Sequence, residues 1–167
     1  MDTFYATLVN GKGIRMSIFG AINTAATGLT TNRVRLDVIA DNMANVNTTR
    51  TTEGGPFRRG RVVVQSIADG PTWRMPFVPE PLDSGIGRGV RVVEIQRDNT
   101  ENPLRWDPTH PDAIVTGPRA GYVELSNVDI VTEMVDMISA TRAYEANAAI
   151  IEGSKTMFQR ALDIGNR

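Results

Sequence analysis

The chain has no cysteine and one histidine, His110. Together these absences remove a disulfide framework, a thiol nucleophile and a zinc cluster built from soft ligands. An excess of charge of either sign is also lacking. The formal net charge is −1 over 167 residues, which leaves no electrostatic footprint for nucleic acid or for an anionic membrane surface. Lysine is confined to Lys12 and Lys155. In the middle of the chain Arg58, Arg59, Arg61, Arg74, Arg88 and Arg91 are balanced by Glu53, Asp69, Glu80, Asp83, Glu94 and Asp98, the composition of a solvated mixed-charge surface. No apolar run approaches membrane-spanning length, so direct membrane insertion is not expected, and the first residues lack the basic region and apolar stretch of a secretory signal. If the protein leaves the cytoplasm, a different route is expected to carry it.

What is present is periodicity at both ends. Ile22, Leu29, Leu36 and Met43 recur every seven residues, with Ala25, Ile39 and Val46 on the neighbouring position of the repeat. Near the other end Ile130, Met137, Tyr144, Ile151 and Phe158 recur at the same interval, accompanied by Met134, Ala148 and Leu162. An average spacing of 3.5 residues keeps one seam of a helix against a partner helix. The same stripes would also serve an ordinary two-helix hairpin. Val131, Val135 and Ile138 favour more than one neighbour, because they place apolar side chains on a second side of the last helix.

The first helix is expected from about Ile18 to Val46, with Ser17 as N-cap. Gly20 and Gly28 each weaken it by about 1 kcal/mol relative to alanine, so it should be marginal alone. The Asn-rich exit, with Asn42, Asn45 and Asn47, offers side chains that compete for backbone groups and end the helix. Asn47-Thr48-Thr49 also matches a glycosylation acceptor, a pattern with a high false-positive rate, and the helix stop is the better reading. The last helix is expected to start at Asn127 or Asp129 and to run to about Ile164, with Gly165 as its stop. Between the helices, residues 61–67 and 89–96 read as strands. The long connection between them carries Pro76, Pro79 and Pro81, and a second irregular stretch spans 102–111. The expected fold is therefore mainly α with a small β insert (α+β), its long terminal helices forming a coiled-coil-like pair. Four segments follow: a flexible extension over 1–15, with Met16 as an alternative start; an assembly helix over 16–48; a β-rich middle over 49–125; and a second assembly helix over 126–167.

Catalytic chemistry finds little support. Ser84-Gly85-Ile86-Gly87-Arg88-Gly89 precedes a strand, whereas a phosphate-cradling loop opens a helix. His110 stands between Thr109 and Pro111 beside Asp112, with no nucleophile on a strained turn to serve. Glu133 and Asp136 share a helical face, as many solvent-facing pairs do. Neither a cofactor nor a metal is implied.

Residues 36–48, Leu-Asp-Val-Ile-Ala-Asp-Asn-Met-Ala-Asn-Val-Asn-Thr, closely resemble the signature of bacterial flagellar rod and hook proteins. A narrower resemblance, to proximal-rod members of that family, lies in Asp107-Pro108-Thr109-His110-Pro111-Asp112-Ala113, Gly121-Tyr122-Val123, residues 127–138 and residues 142–147. It covers about residues 16–167 and is weakest over 67–87. The resemblance implies a non-enzymatic building block of the rod, the periplasm-spanning shaft that carries rotation to the hook. It implies export through the flagellar type III apparatus without a cleaved signal, and contacts with other copies and other rod proteins. It also implies stacking of the terminal helices into a tube, with the middle segment outside. Isolated subunits are then expected to have ends that gain order mainly on assembly. Distal-rod or hook proteins, or a soluble coiled-coil adaptor or chaperone, are the alternatives; the short middle segment argues against the first.

Overall fold

The computed structural model describes residues 18–67 and 89–165. The expected extension over 1–15, the Ser17 cap, the loop over 68–88 and nearly all of the Ser84–Gly89 turn lie outside the described residues. Element order is α1 (Ile18–Ala44), β1 (Gly60–Ser66), β2 (Val90–Arg97), β3 (Leu104–Trp106), β4 (Tyr122–Glu124) and α2 (Ile130–Gly165). Two long terminal helices thus flank two small antiparallel sheets, β1 with β2 and β3 with β4.

Helix α1 stops two residues earlier than its apolar pattern, because asparagine side chains take over the hydrogen bonding. The Asn45 amide donates both to the Asp41 carbonyl and to the Asp41 carboxylate, each at 2.9 Å, and the Thr48 N–H turns back to the Asn45 carbonyl at 3.0 Å. Helix α2 begins on Asp129. Its carboxylate accepts from the Val131 N–H at 3.2 Å and from the Thr132 hydroxyl at 2.6 Å, and its carbonyl accepts the first helical bond from Glu133. The helix runs through Gly165, one residue past the expected end.

The helices pack antiparallel. Asn42 meets Glu133, Gly28 lies against Asn147 fourteen residues along each helix, and the rings of Phe19 and Phe158 meet edge to face at 6.0 Å. The row that α2 buries is Glu133, Ala140 and Ser154, with half-buried Asn147 completing a seven-residue repeat. Within the pair, this row and not the expected α2 stripe is buried against α1. Ile130, Met134, Tyr144, Phe158 and Leu162 remain exposed, and Met137 and Ile151 are only half-buried. The contact row is displaced by three positions, and at the Gly28–Asn147 crossing the helices come too close for a large side chain between them. A Cβ on Gly28 would stand 2.8 Å from the Asn147 amide. On α1, Ala25 and Ile39 are buried, while Ile22, Leu29, Leu36, Met43 and Val46 are half-buried.

The β1–β2 hairpin lies along α1. Gly60 sits against Val38 and Asn42, and at the other end the Val90 N–H donates to the Thr27 hydroxyl at 3.2 Å. Fifteen helical residues and a seven-residue strand both span about 20 Å, so the two elements match in length. Gly89 permits this approach, since its φ of +97° and the nearness of the Thr27 side chain leave no place for a Cβ. A bulge between Val63 and Val64 leaves Val93 without a cross-strand partner, which breaks the apolar alternation of β2 and turns Val93 and Ile95 outward. Strand β3 falls in the stretch expected to be irregular, 102–111, and β4 where no strand was expected. Three residues per strand are too few to show alternation, and Pro103 and Pro108 flank β3. Cross-strand Trp106 and Tyr122 hold it, their rings 4.9 Å apart and steeply inclined.

Two measurements check this account. Gly121 has φ +82°, and a Cβ there would stand 2.6 Å from the Trp106 ring. Gly121→Ala should therefore cost roughly 1–3 kcal/mol and reduce the near-ultraviolet dichroism of the Trp106–Tyr122 pair; an unchanged spectrum and stability would contradict the packing. The Asp129 carboxyl is held below the usual carboxylate range, chiefly by the Thr132 hydroxyl and then by the Val131 N–H. A depressed folded-state pKa gives stability that is complete above the unfolded value of about 3.9 and is lost as pH falls through the lower folded value. Thermal midpoints should drop through that acidic window. Asp129→Asn, which keeps a capping oxygen without the titration, should flatten part of the slope.

Candidate functional site

Where α1 ends and α2 begins, a buried polar junction ties three parts of the chain together. Glu133 is fully buried, on the first turn of α2. One carboxylate oxygen accepts from the Arg59 Nε, and the other accepts from the Asn42 amide at 3.0 Å. Arg59 extends to Asp136 at 2.9 Å, so a single guanidinium joins two acids on adjacent turns. The Asn42 side chain acts as a peptide group. Its amide donates to the Gly60 carbonyl at 3.0 Å while its carbonyl accepts from the Gly60 N–H at 2.8 Å, so β1 begins on a pair of sheet-like bonds to the helix. Asn127 completes the junction, accepting from the Arg59 N–H at 2.7 Å and donating to the Asp98 carbonyl at 3.3 Å.

The arrangement makes physical sense only as a set. Burying a carboxylate costs several kcal/mol, and only complete pairing offsets it. Glu133 has that pairing, and the Asn42 amide has both its donor and its acceptor filled. Glu133 is therefore not half of a solvent-facing pair. Its i, i+3 relation to Asp136 was visible in the sequence; Arg59, more than seventy residues away, was not.

The sequence motifs meet at a second contact. Asp112 accepts from the Thr49 hydroxyl at 2.8 Å and pairs with Arg50 at 3.6 Å, docking the His110-Pro111-Asp112 turn onto the exit of α1. The His110 Nδ1 accepts from the Asp112 N–H at 3.1 Å and shapes that turn. Asn45 ends α1, Asn47 is exposed, and Pro111 is exposed on the turn. Asn42 and the Asp112 turn thus fasten successive parts of one helix exit. A shallow cleft of about 340 Å³ lies beside the junction, between α1, β1 and α2. Among the described residues no group of His, Cys, Asp and Glu is placed to hold a metal ion, and no helix is long and apolar enough to cross a membrane.

Glu133→Ala should cost about 3–5 kcal/mol in urea unfolding, since it removes the buried partner of the Arg59 Nε and of one Asn42 amide hydrogen. Asp136→Ala, at an exposed partner, should cost under about 1 kcal/mol. Equal losses at the two positions would overturn this ranking.

Comparison with known proteins places this geometry in a family. Residues 22–50 match the family described as Flagella basal body rod protein, and residues 119–164 match Flagellar basal body rod FlgEFG protein C-terminal. The chain is 54% identical over 149 residues to the flagellar basal-body rod protein FlgC of Borreliella burgdorferi, an alignment covering 89% of this chain and 98% of that one. It is 41% identical over 155 residues to FlgC of Bacillus subtilis, covering 90% and 99%, and 33% identical over 150 residues to FlgC of Yersinia enterocolitica, again covering 90% and 99%. The two family matches fall on the two helices and their junctions, the parts that the Asn42, Arg59 and Glu133 contacts join. The chain belongs to the flagellar basal-body rod family, whose members are structural components and not enzymes.

Proposed function

We propose that the chain is a structural subunit of the proximal rod, polymerising through its terminal helices into the shaft that transmits torque from rotor to hook. In this reading residues 16–48 and 126–167 form the assembly helices, coiled-coil-like in the polymer, residues 49–125 face outward, and residues 1–15 are an extension outside the repeat. Its neighbours are other copies and other rod proteins in the part of the basal body that crosses the periplasm. Delivery is through the flagellar type III apparatus, without a cleaved signal.

One observation carries the reading. Val131, Val135 and Ile138 stand about 140–180° around α2 from buried Ala140, at about 100° per residue, so they face away from α1. They are 68%, 61% and 54% exposed, and Met134 beside them is 51% exposed. Among the described residues, these four large apolar side chains within two turns have no covering partner. Each would contribute about 1.5–3 kcal/mol if fully covered. Apart from Ile39, the side chains buried between α1 and α2 are small or polar, so the ends of the molecule have more to gain from neighbours than from each other. The expected seam residues Ile130, Tyr144 and Leu162 are exposed nearer the α1 side of α2, and Phe158 meets Phe19 there; the assembly roles of both stripes are part of this proposal.

Val135→Asp combined with Ile138→Asp tests the assignment. The purified variant should keep the helical content and thermal midpoint of the parent, because neither residue touches α1, while cells carrying it should lack rods and be non-motile. Normal rods and motility in those cells would refute the proposal.

A further inference from the structure

Arg35 and Arg61 line the cleft beside the junction, and among the described residues neither makes an ion pair or a hydrogen bond. Arg61 acts on Asp98 only through space. The third cation of the cleft, Arg59, is already engaged by Glu133 and Asp136. The cleft therefore holds three guanidinium groups against two carboxylates, one of which has its two oxygens occupied. Val38, Ile39 and Val62 supply aliphatic wall between the charges, and Ser139 adds a hydroxyl without a partner among the described residues. Carbon walls with two guanidiniums unpaired among the described residues suit the side chain of a glutamate, whose methylenes need apolar contact and whose carboxylate takes paired N–H donors. A bare inorganic anion would leave those walls unused.

The matching acids are on the opposite side of the same molecule. Val131, Ile138, Glu145 and Glu152 form one seven-residue row on α2, so the outward apolar face continues directly into two glutamates. Both glutamates are exposed, and among the described residues neither has an ion pair. Glu145 stands about 180° around α2 from Asp136, and Glu152 about 140° from Ser139, the two residues that mark the cleft side of the helix. A surface and its complement on opposite faces of one subunit cannot meet within that subunit. They meet between copies, head to tail, which is the arrangement that propagates without closing.

We propose that the Arg35–Arg61 cleft of one copy receives Glu145 and Glu152 of the next, setting the stagger between successive subunits. This rests on the rod-subunit reading and adds to it the partner and the charge pairs that fix register. Charge reversal tests it in cells. Arg35→Glu with Arg61→Glu, and separately Glu145→Arg with Glu152→Arg, should each lower the number of motile cells by about tenfold or more, because like charges then face each other. The fourfold variant carrying both reversals should recover most of the motility. Failure to recover overturns the proposal, as does normal motility in either double variant. Loss in the arginine variant alone also overturns it, since the acid would then come from a different protein.

Covalent trapping gives a second measurement if a reversed variant folds poorly. The chain has no native cysteine, so Arg61→Cys with Glu145→Cys should yield an oxidised ladder of copies in basal bodies, whereas either cysteine alone should yield none beyond a dimer. No ladder in intact basal bodies overturns the proposal. The rod-subunit reading is judged apart from it by the Val135→Asp, Ile138→Asp cells, whose assembly depends on the apolar face and not on these charges.

Discussion

One buried carboxylate governs how the parts of this molecule are held. Glu133 has no access to water, and a charge in that position is tolerable only while Arg59 and Asn42 both reach it. Arg59 enters from the segment ahead of β1, Asn42 from the last turns of α1, and Glu133 from the first turn of α2. If Arg59 or Asn42 moved away, the buried Glu133 carboxylate would lose part of the pairing that makes its burial tolerable, so the placement of the helices and the first hairpin is strongly coupled. Apolar contact alone would not impose this, since it tolerates sliding.

The junction compensates for a thin core. Among the described residues the buried apolar side chains are Ala25, Ile39, Val123, Val128 and Ala140, two of them alanines. Along the helix pair the contact is made by a glycine against an asparagine, by Ala140 and by Ser154, all of which permit close approach and bury little area. The chain's larger apolar residues are spent elsewhere, on the outward face of α2 and on the flanks of the pair. Close inner packing and an apolar outer surface go together: polar bonds fix the geometry inside the subunit, which leaves the hydrophobic area for the contacts proposed outside it.

Much of this was legible in the sequence, and the boundary of legibility has a physical origin. Seven-residue recurrence located both helices to within a few residues, and the Asn-rich stretch correctly marked where α1 ends. Periodicity could not say which row faces inward, because rows three positions apart share one edge of a helix. The usual assumption that the largest apolar residues face the partner chose Ile130, Tyr144 and Phe158. The row at Glu133, Ala140, Asn147 and Ser154 was inside instead. Gly28 held the clue: a glycine in mid-helix weakens that helix unless a neighbour fills the place of a Cβ, and here the Asn147 side chain does. The β3–β4 pair was too short to carry a pattern. Glu133 was seen and set aside, since a single acid on a helix shows its worth only once its distant guanidinium is found.

Torque sets a requirement that this division of labour meets. A shaft under twist must resist sliding between subunits as well as separation, and apolar contacts resist separation far better than sliding. Inside the subunit the directional bonds at Asn42, Arg59 and Glu133 remove the freedom to slide, and the Thr49 and Arg50 contacts to Asp112 tie the middle segment to the same helix exit. In the proposed assembly the outward row of α2 offers both kinds of contact in sequence, Val131 and Ile138 for cohesion and Glu145 and Glu152 for position. A row that mixed the two at every turn would bury charge wherever it buried carbon. Separating them along the helix lets the apolar end be desolvated while the charged end stays at the rim, where pairing needs no complete loss of water.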